Sequence, residues 1–157
     1  MYLTARLRLR RELDSTELAE VSRTLAEVRH IVFTIPKRIR IFFKYDRRLL
    51  SILFEAAREA LKDVITKDGG TIGAILTAQT AGEVLNYHPH LHGILANGLW
   101  GEDDVFSSFT EVDLRALTNR FAKRVLSALC KKGLIDSSDV DQVLSQEHTG
   151  FSVWLRP

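Results

Sequence analysis

The stretch His88-Pro89-His90-Leu91-His92 constrains this chain more than any other. Three histidines occupy alternate positions, and alternate side chains of a strand share one face. The spacing predicts a strand over 89–96, with His90 and His92 side by side and their Cα atoms roughly 7 Å apart. Leu91 then points the opposite way, into a core. Two neutral imidazoles so placed can share one metal ion. The plainer alternative is a polar strand face that is merely rich in histidine.

Length and composition fit one globular domain. At 157 residues such a chain buries roughly two-thirds of its unfolded surface. With 45% apolar and 27% charged residues, it is neither a disordered tail nor a membrane-embedded bundle. A lone cysteine, Cys130, excludes an internal disulfide framework and is compatible with a reducing compartment. No apolar run reaches membrane-spanning length, and the N-terminus lacks a signal-peptide pattern. The expectation is a cytoplasmic protein with no membrane partner. The net charge of +2 hides an asymmetry: residues 1–50 hold twelve Lys/Arg against six Asp/Glu, while the remainder is net acidic. A polyanion would therefore dock on the first third.

In chain order, residues 1–12 alternate arginine with apolar residues and read as a poorly ordered basic end. Asp14 with Glu17 resembles a capping pair, and Leu18, Val21, Leu25 and Val28 recur at helical spacing, predicting a helix over 15–28. His30–Pro36 is β-branched and aromatic and reads as a buried strand. Residues 37–48 then carry Lys37, Arg38, Arg40, Lys44, Arg47 and Arg48, with Phe42, Phe43 and Tyr45 interleaved. Cations neutralise phosphates and aromatic rings stack on unpaired bases, so this is a candidate single-stranded DNA contact. The bland alternative is a solvated helix face whose apolar side is buried.

Leu50, Phe54, Ala57, Leu61 and Val64 make a helical stripe over 47–65, and residues 72–79 read as a second strand. Asn97-Gly98 and residues 101–104 carry loop signals that would close the histidine strand. A helix over 111–132 shows Leu114, Leu117, Phe121, Val125, Leu126 and Leu129 on one face, with Gly133 as its stop. Ser138 opens a short helix over 139–145, and 151–155 is a last strand. The order strand, helix, strand, strand, helix, strand predicts an α+β fold, a ferredoxin-like split βαβ sandwich. Its antiparallel sheet would carry helices on one face and the histidines open on the other, in a core over 29–157 preceded by an N-terminal arm and extra helix over 1–28.

With these residues in view, the sequence resembles the rolling-circle, two-tyrosine insertion-sequence transposases, whose nuclease domain carries a histidine–hydrophobic–histidine (HUH) pair. Three stretches carry the likeness. They are Phe33-Thr34-Ile35-Pro36-Lys37-Arg38 with Tyr45-Asp46-Arg47; Gln79-Thr80-Ala81-Gly82-Glu83 through Asn86-Tyr87-His88-Pro89-His90-Leu91-His92; and His148-Thr149-Gly150-Phe151-Ser152-Val153. The resemblance implies DNA transposition through cleavage and joining of single-stranded DNA by transesterification, with a tyrosine nucleophile and a divalent metal. His90 and His92 match the family's metal pair. Gln79 is the first candidate for a third ligand, with Glu83, His88 and His148 behind it. Mg²⁺ and Mn²⁺ are both implied, since oxygen donors suit the first and imidazole the second.

Two departures qualify the likeness. The family's upstream cysteine-rich zinc segment has no counterpart, because the first third contains no cysteine. The family's catalytic tyrosines lie on a helix beyond the last strand, and Tyr2, Tyr45 and Tyr87 do not match them. The expectation is a truncated copy with no catalytic nucleophile in this chain. The alternatives are a histidine-triad nucleotide hydrolase or transferase, where a histidine attacks phosphorus without metal, and a non-catalytic DNA-binding remnant.

Overall fold

In a computed structural model, the structure describes residues 28–66, 70–82, 86–101, 105–108, 111–146 and 148–156. The helix predicted over 15–28 and the basic end before it lie outside the described residues, apart from Val28. That residue opens a strand instead.

The elements run β1 (Val28–Thr34), α1 (Arg40–Tyr45), α2 (Leu50–Ile65), β2 (Thr71–Ala81), β3 (Tyr87–Trp100), β4 (Phe106–Ser108), α3 (Leu114–Lys131), α4 (Ser137–Leu144) and β5 (Ser152–Arg156). Short 3₁₀ turns over Lys37–Ile39 and Arg47–Leu49 lead into α1 and α2. The sheet has the order β2-β3-β1-β5, with β4 paired to the far end of β3. Every pairing is antiparallel. This is the strand order of a split βαβ sandwich, as the sequence predicts.

One face of the sheet makes the core. Ile31 and Phe33 of β1, Leu91 and Leu95 of β3 and Val153 of β5 are buried against Leu53, Ala57, Ala60 and Leu61 of α2 and Leu117, Phe121, Val125, Leu126 and Leu129 of α3. Phe121 packs against both Phe33 and Phe151, with ring centroids 5.0 and 5.9 Å apart. Arg124 of α3 reaches Asp63 of α2 at 2.7 Å and ties the two helices along their outer edge.

Local chemistry sets the ends of the helices. Asp113 accepts from the Ala116 amide at 2.8 Å and caps α3. Gly133, at φ +67°, donates to the Cys130 carbonyl while Leu134 donates to Leu129, a left-handed stop that only glycine adopts without strain. Asp136 caps α4 in a reciprocal box with Asp139, so the cap lies two residues before Ser138.

Two sequence expectations change. The loop predicted at Asn97-Gly98 does not form. The strand runs on through both residues to Trp100, because β4 pairs with Gly98, Leu99 and Trp100 and supplies the ladder hydrogen bonds. The β1 segment, expected to be buried outright, is buried on one side only, with Ile31 and Phe33 inside and His30 exposed.

Candidate metal centre

The open face of the sheet is a grid set by strand register. Across β2, β3, β1 and β5, one row reads Gln79, His90, Thr34, Ser152. The next reads Thr77, His92, Val32, Trp154, and the third reads Ile75, Ile94, His30, Arg156. Paired residues on neighbouring strands share a face, so all of these side chains stand opposite the helices. Gly93 allows the close packing behind them. A Cβ there would lie 2.4 Å from Leu76 Cδ2 and 2.5 Å from the Ile75 carbonyl oxygen.

His90 and His92 converge as the alternation predicts. Their Nε2 atoms are 2.8 Å apart. Two ligand atoms each about 2.1 Å from one octahedral ion sit roughly 3.0 Å apart. The separation is close to that of two ligands of one divalent ion, while here the two nitrogens hydrogen-bond to each other.

The other ring nitrogens orient the pair. His90 Nδ1 lies 2.5 Å from the His88 carbonyl oxygen. A carbonyl can only accept, so His90 carries its proton on Nδ1 and leaves the Nε2 lone pair bare. His92 Nδ1 lies 3.1 Å from His30 Nε2, and the two rings stack at 5.2 Å. With that lone pair bare, His92 Nε2–H donates across the 2.8 Å contact and His92 Nδ1 accepts from His30 Nε2; a ligating His92 would instead hold its proton on Nδ1 and donate it to His30. Burial, then the nearby His90 and His30 charges, pushes the His92 pKa below 6.5 and favours the neutral, ligating form.

The third-ligand candidates separate. Gln79 stands directly across from His90 in the ladder, on the same face. The His88 ring lies tilted against His90, with centroids 4.9 Å apart, and its Nε2 is buried without a hydrogen-bond partner. Burial first, then Arg40 and His90, lowers its pKa below 6.5. Gly82 leaves room for it, since a Cβ there would meet His88 Cβ at 2.9 Å. His148 is exposed ahead of the Gly150 turn, and Glu83 lies outside the described residues. Among the described residues, no group of three or more His, Cys, Asp or Glu is arranged to hold a metal. Gln79 is brought to the pair by register alone, as a neutral amide on the same face.

The basic stretch 37–48 divides. Lys37, Lys44 and Arg47 are exposed. Arg38 donates to Gln146 at 2.8 Å, and Arg48 pairs with Asp46 at 2.9 Å. Arg40 is half-buried, donates to the Ile35 carbonyl at 3.2 Å and stands near enough to His88 to affect its charge. Of the interleaved aromatics, Phe43 is fully buried in the core and cannot stack on a base. Tyr87 turns to the helix side, where its hydroxyl donates to the Phe43 carbonyl at 2.6 Å. Burial raises its pKa above 10.0, so it is a poor source of phenolate. Tyr45 ends α1 and is 82% exposed.

Comparison with known proteins assigns the family. The model of a family described as "Putative transposase" matches residues 73–156, more than half of the chain and including most of β2 and all of β3 and β5. The chain belongs to this transposase family. It is 38% identical over 71 residues to the transposase of insertion sequence element IS801 from Pseudomonas savastanoi pv. phaseolicola, a match covering 45% of this chain and 17% of that protein. It is 32% identical over 78 residues to "Putative transposase y4qJ" of Sinorhizobium fredii (strain NBRC 101917 / NGR234), covering 47% of this chain and 20% of that protein. The chain thus spans about a fifth of the length of these curated relatives. No solved structure matches. No helix among the described residues is long and apolar enough to cross a membrane.

The transposase domain carries site residues that sequence reasoning passes over. His30 backs His92 from a strand 62 positions away in sequence, and Thr34 and Ser152 join across the grid with their hydroxyls 2.6 Å apart. The alternation His30, Val32, Thr34 against Ile31, Phe33 is the signal that could have found the first two.

Proposed function

We propose that this transposase domain binds single-stranded DNA across the open face of its sheet and holds a divalent ion, Mg²⁺ or Mn²⁺, as the platform for strand cleavage and joining by a tyrosine nucleophile that none of this chain's three tyrosines matches. The observation that supports the reading is the convergence of the His90 and His92 Nε2 atoms on the sheet face opposite the helices, with His92 half-exposed and His90 8% exposed. His90, His92 and the Gln79 amide would hold the ion. When bound, it supplies Lewis-acid polarisation of a backbone phosphate.

The chain's own residues do the rest. The His88 carbonyl fixes the His90 tautomer, and His30 holds the His92 ring. Lys37, Lys44 and Arg47 offer exposed cations beside the start of β3, where Tyr87 joins that strand to α1. Phosphates neutralised there would position the strand without reading its sequence. Tyr87 is not the attacking group in this reading, because its hydroxyl is spent on the helix side of the sheet. Family membership favours transposition over the histidine-triad hydrolase alternative.

The test is a binding and nicking assay on single-stranded oligonucleotides with Mn²⁺. Metal-dependent binding that weakens steeply with salt supports the reading. Replacing Lys37, Lys44 and Arg47 with alanine should weaken binding uniformly across sequences and reduce the salt slope by about two. Unchanged affinity would move the contact to another surface, such as the basic side of α3. Binding without nicking would identify a DNA-binding remnant, and metal-free hydrolysis of a nucleoside phosphoramidate would favour the histidine-triad reading.

A further inference from the structure

Trp154 has no place in the metal site or in the core. It is 56% exposed, although Val153 beside it in β5 and Phe151 just before that strand are buried. It stands in the same row as His92, with Val32 between them. Two strand spacings put its Cα about 10 Å from that of His92, within reach of the nucleotides next to a phosphate held at the histidines.

The indole is held in place rather than loose. Its Nε1 donates to Ser152 Oγ at 3.0 Å, and Ser152 Oγ shares a hydrogen bond with Thr34 Oγ1 at 2.6 Å. Its one polar atom is therefore satisfied within the protein, and what the side chain offers outward is ring surface. Charge on this face suits a polyanion. Arg156 follows Trp154 on the same side of β5, opposite His30, and no Asp or Glu occupies any of the three rows.

We propose that Trp154 is a stacking platform for an unpaired base of single-stranded DNA, next to the nucleotide whose phosphate lies at His90 and His92. This rests on the function proposed above and adds a specific contact to it. Stacking is tolerant of base identity, because every base presents a π face. The contact would therefore select single strands over duplex without choosing a sequence.

The test measures binding of a fluorescently labelled single-stranded oligonucleotide by anisotropy, using the full chain. Trp154→Ala should weaken binding about tenfold, and Trp154→Phe should restore most of it. In a Trp100→Phe background, unlabelled single strands should quench the remaining tryptophan emission, and duplex of the same sequence should not. Equal affinity for wild type and Trp154→Ala would overturn the proposal while leaving single-strand binding intact. So would an alanine variant that binds normally but loses self-association in sedimentation, which would mark the indole as a contact between copies. If the wild-type chain binds no single strand at all, the underlying function falls together with the proposal.

Discussion

The two faces of β3 share one backbone and obey different rules. On the helix side, Leu91, Gly93 and Leu95 are buried, and each is fixed by what packs on it. On the open side, His90, His92 and Ile94 are fixed mainly by neighbours in the ladder and by hydrogen bonds between rings. Ile94 is left 48% exposed. The helix side holds the fold together. The open side is where the same strand can meet a ligand, through the half-exposed His92 rather than through His90, which is buried.

If this division is right, substitutions on the two faces should fail in different ways. The largest expected effect is on the helix side. Leu95→Ala should destabilise the domain by about 2–5 kcal/mol through a core cavity, read as a shift in the urea midpoint, while the folded fraction keeps its Mn²⁺ affinity. An equal loss of metal affinity in the folded fraction would break the separation.

On the open side, His30→Ala should lower Mn²⁺ affinity about 10–100-fold, with little change in the urea midpoint. Calorimetric titration checks it. A loss of stability without a loss of affinity would turn His30 into a fold residue.

A smaller effect belongs to the Tyr87 hydroxyl, which links the helix side of β3 to α1. Tyr87→Phe should cost about 0.5–1.5 kcal/mol and leave DNA binding and any nicking unchanged, because the hydroxyl faces away from the histidines. Loss of nicking would reopen its role as nucleophile.

The smallest effect is the pH dependence. His88 and His92 have pKa values lowered below 6.5 in the folded protein, chiefly by burial. Unfolding therefore takes up protons below pH 6.5. Stability is full above that value and falls as pH drops toward the folded pKa values. Urea midpoints at pH 7.5 and 5.5 measure the drop, and His88→Gln should flatten it.

The same contrast explains what could be read from the sequence. The helix side was legible because burial leaves a periodic trace. The apolar stripes of α2 and α3 and the Gly133 stop gave the helices, and their order with the strands gave the split βαβ plan. The His90–His92 pair was legible because both members sit on one strand. The remainder of the open face depends on pairing between distant segments. His30 meets His92 only through the β1–β3 register, and Trp154 enters the same row only through β5. Nothing local in either segment encodes that meeting. Asn97-Gly98 misled for a related reason. Its turn chemistry is real, but β4, a three-residue strand, overrides it by pairing. Within residues 37–48, composition suggested one DNA-binding surface. Helical geometry instead sent Phe43 inward and left Lys37, Lys44 and Arg47 outside.

The most direct test is calorimetric Mn²⁺ titration of the wild-type chain beside His90→Ala and His92→Ala, each checked for folding by circular dichroism. The proposed metal site predicts one ion per wild-type chain, no measurable binding by either variant, and native spectra for all three. Wild-type affinity in a folded His90→Ala or His92→Ala chain would contradict a metal centre at this pair.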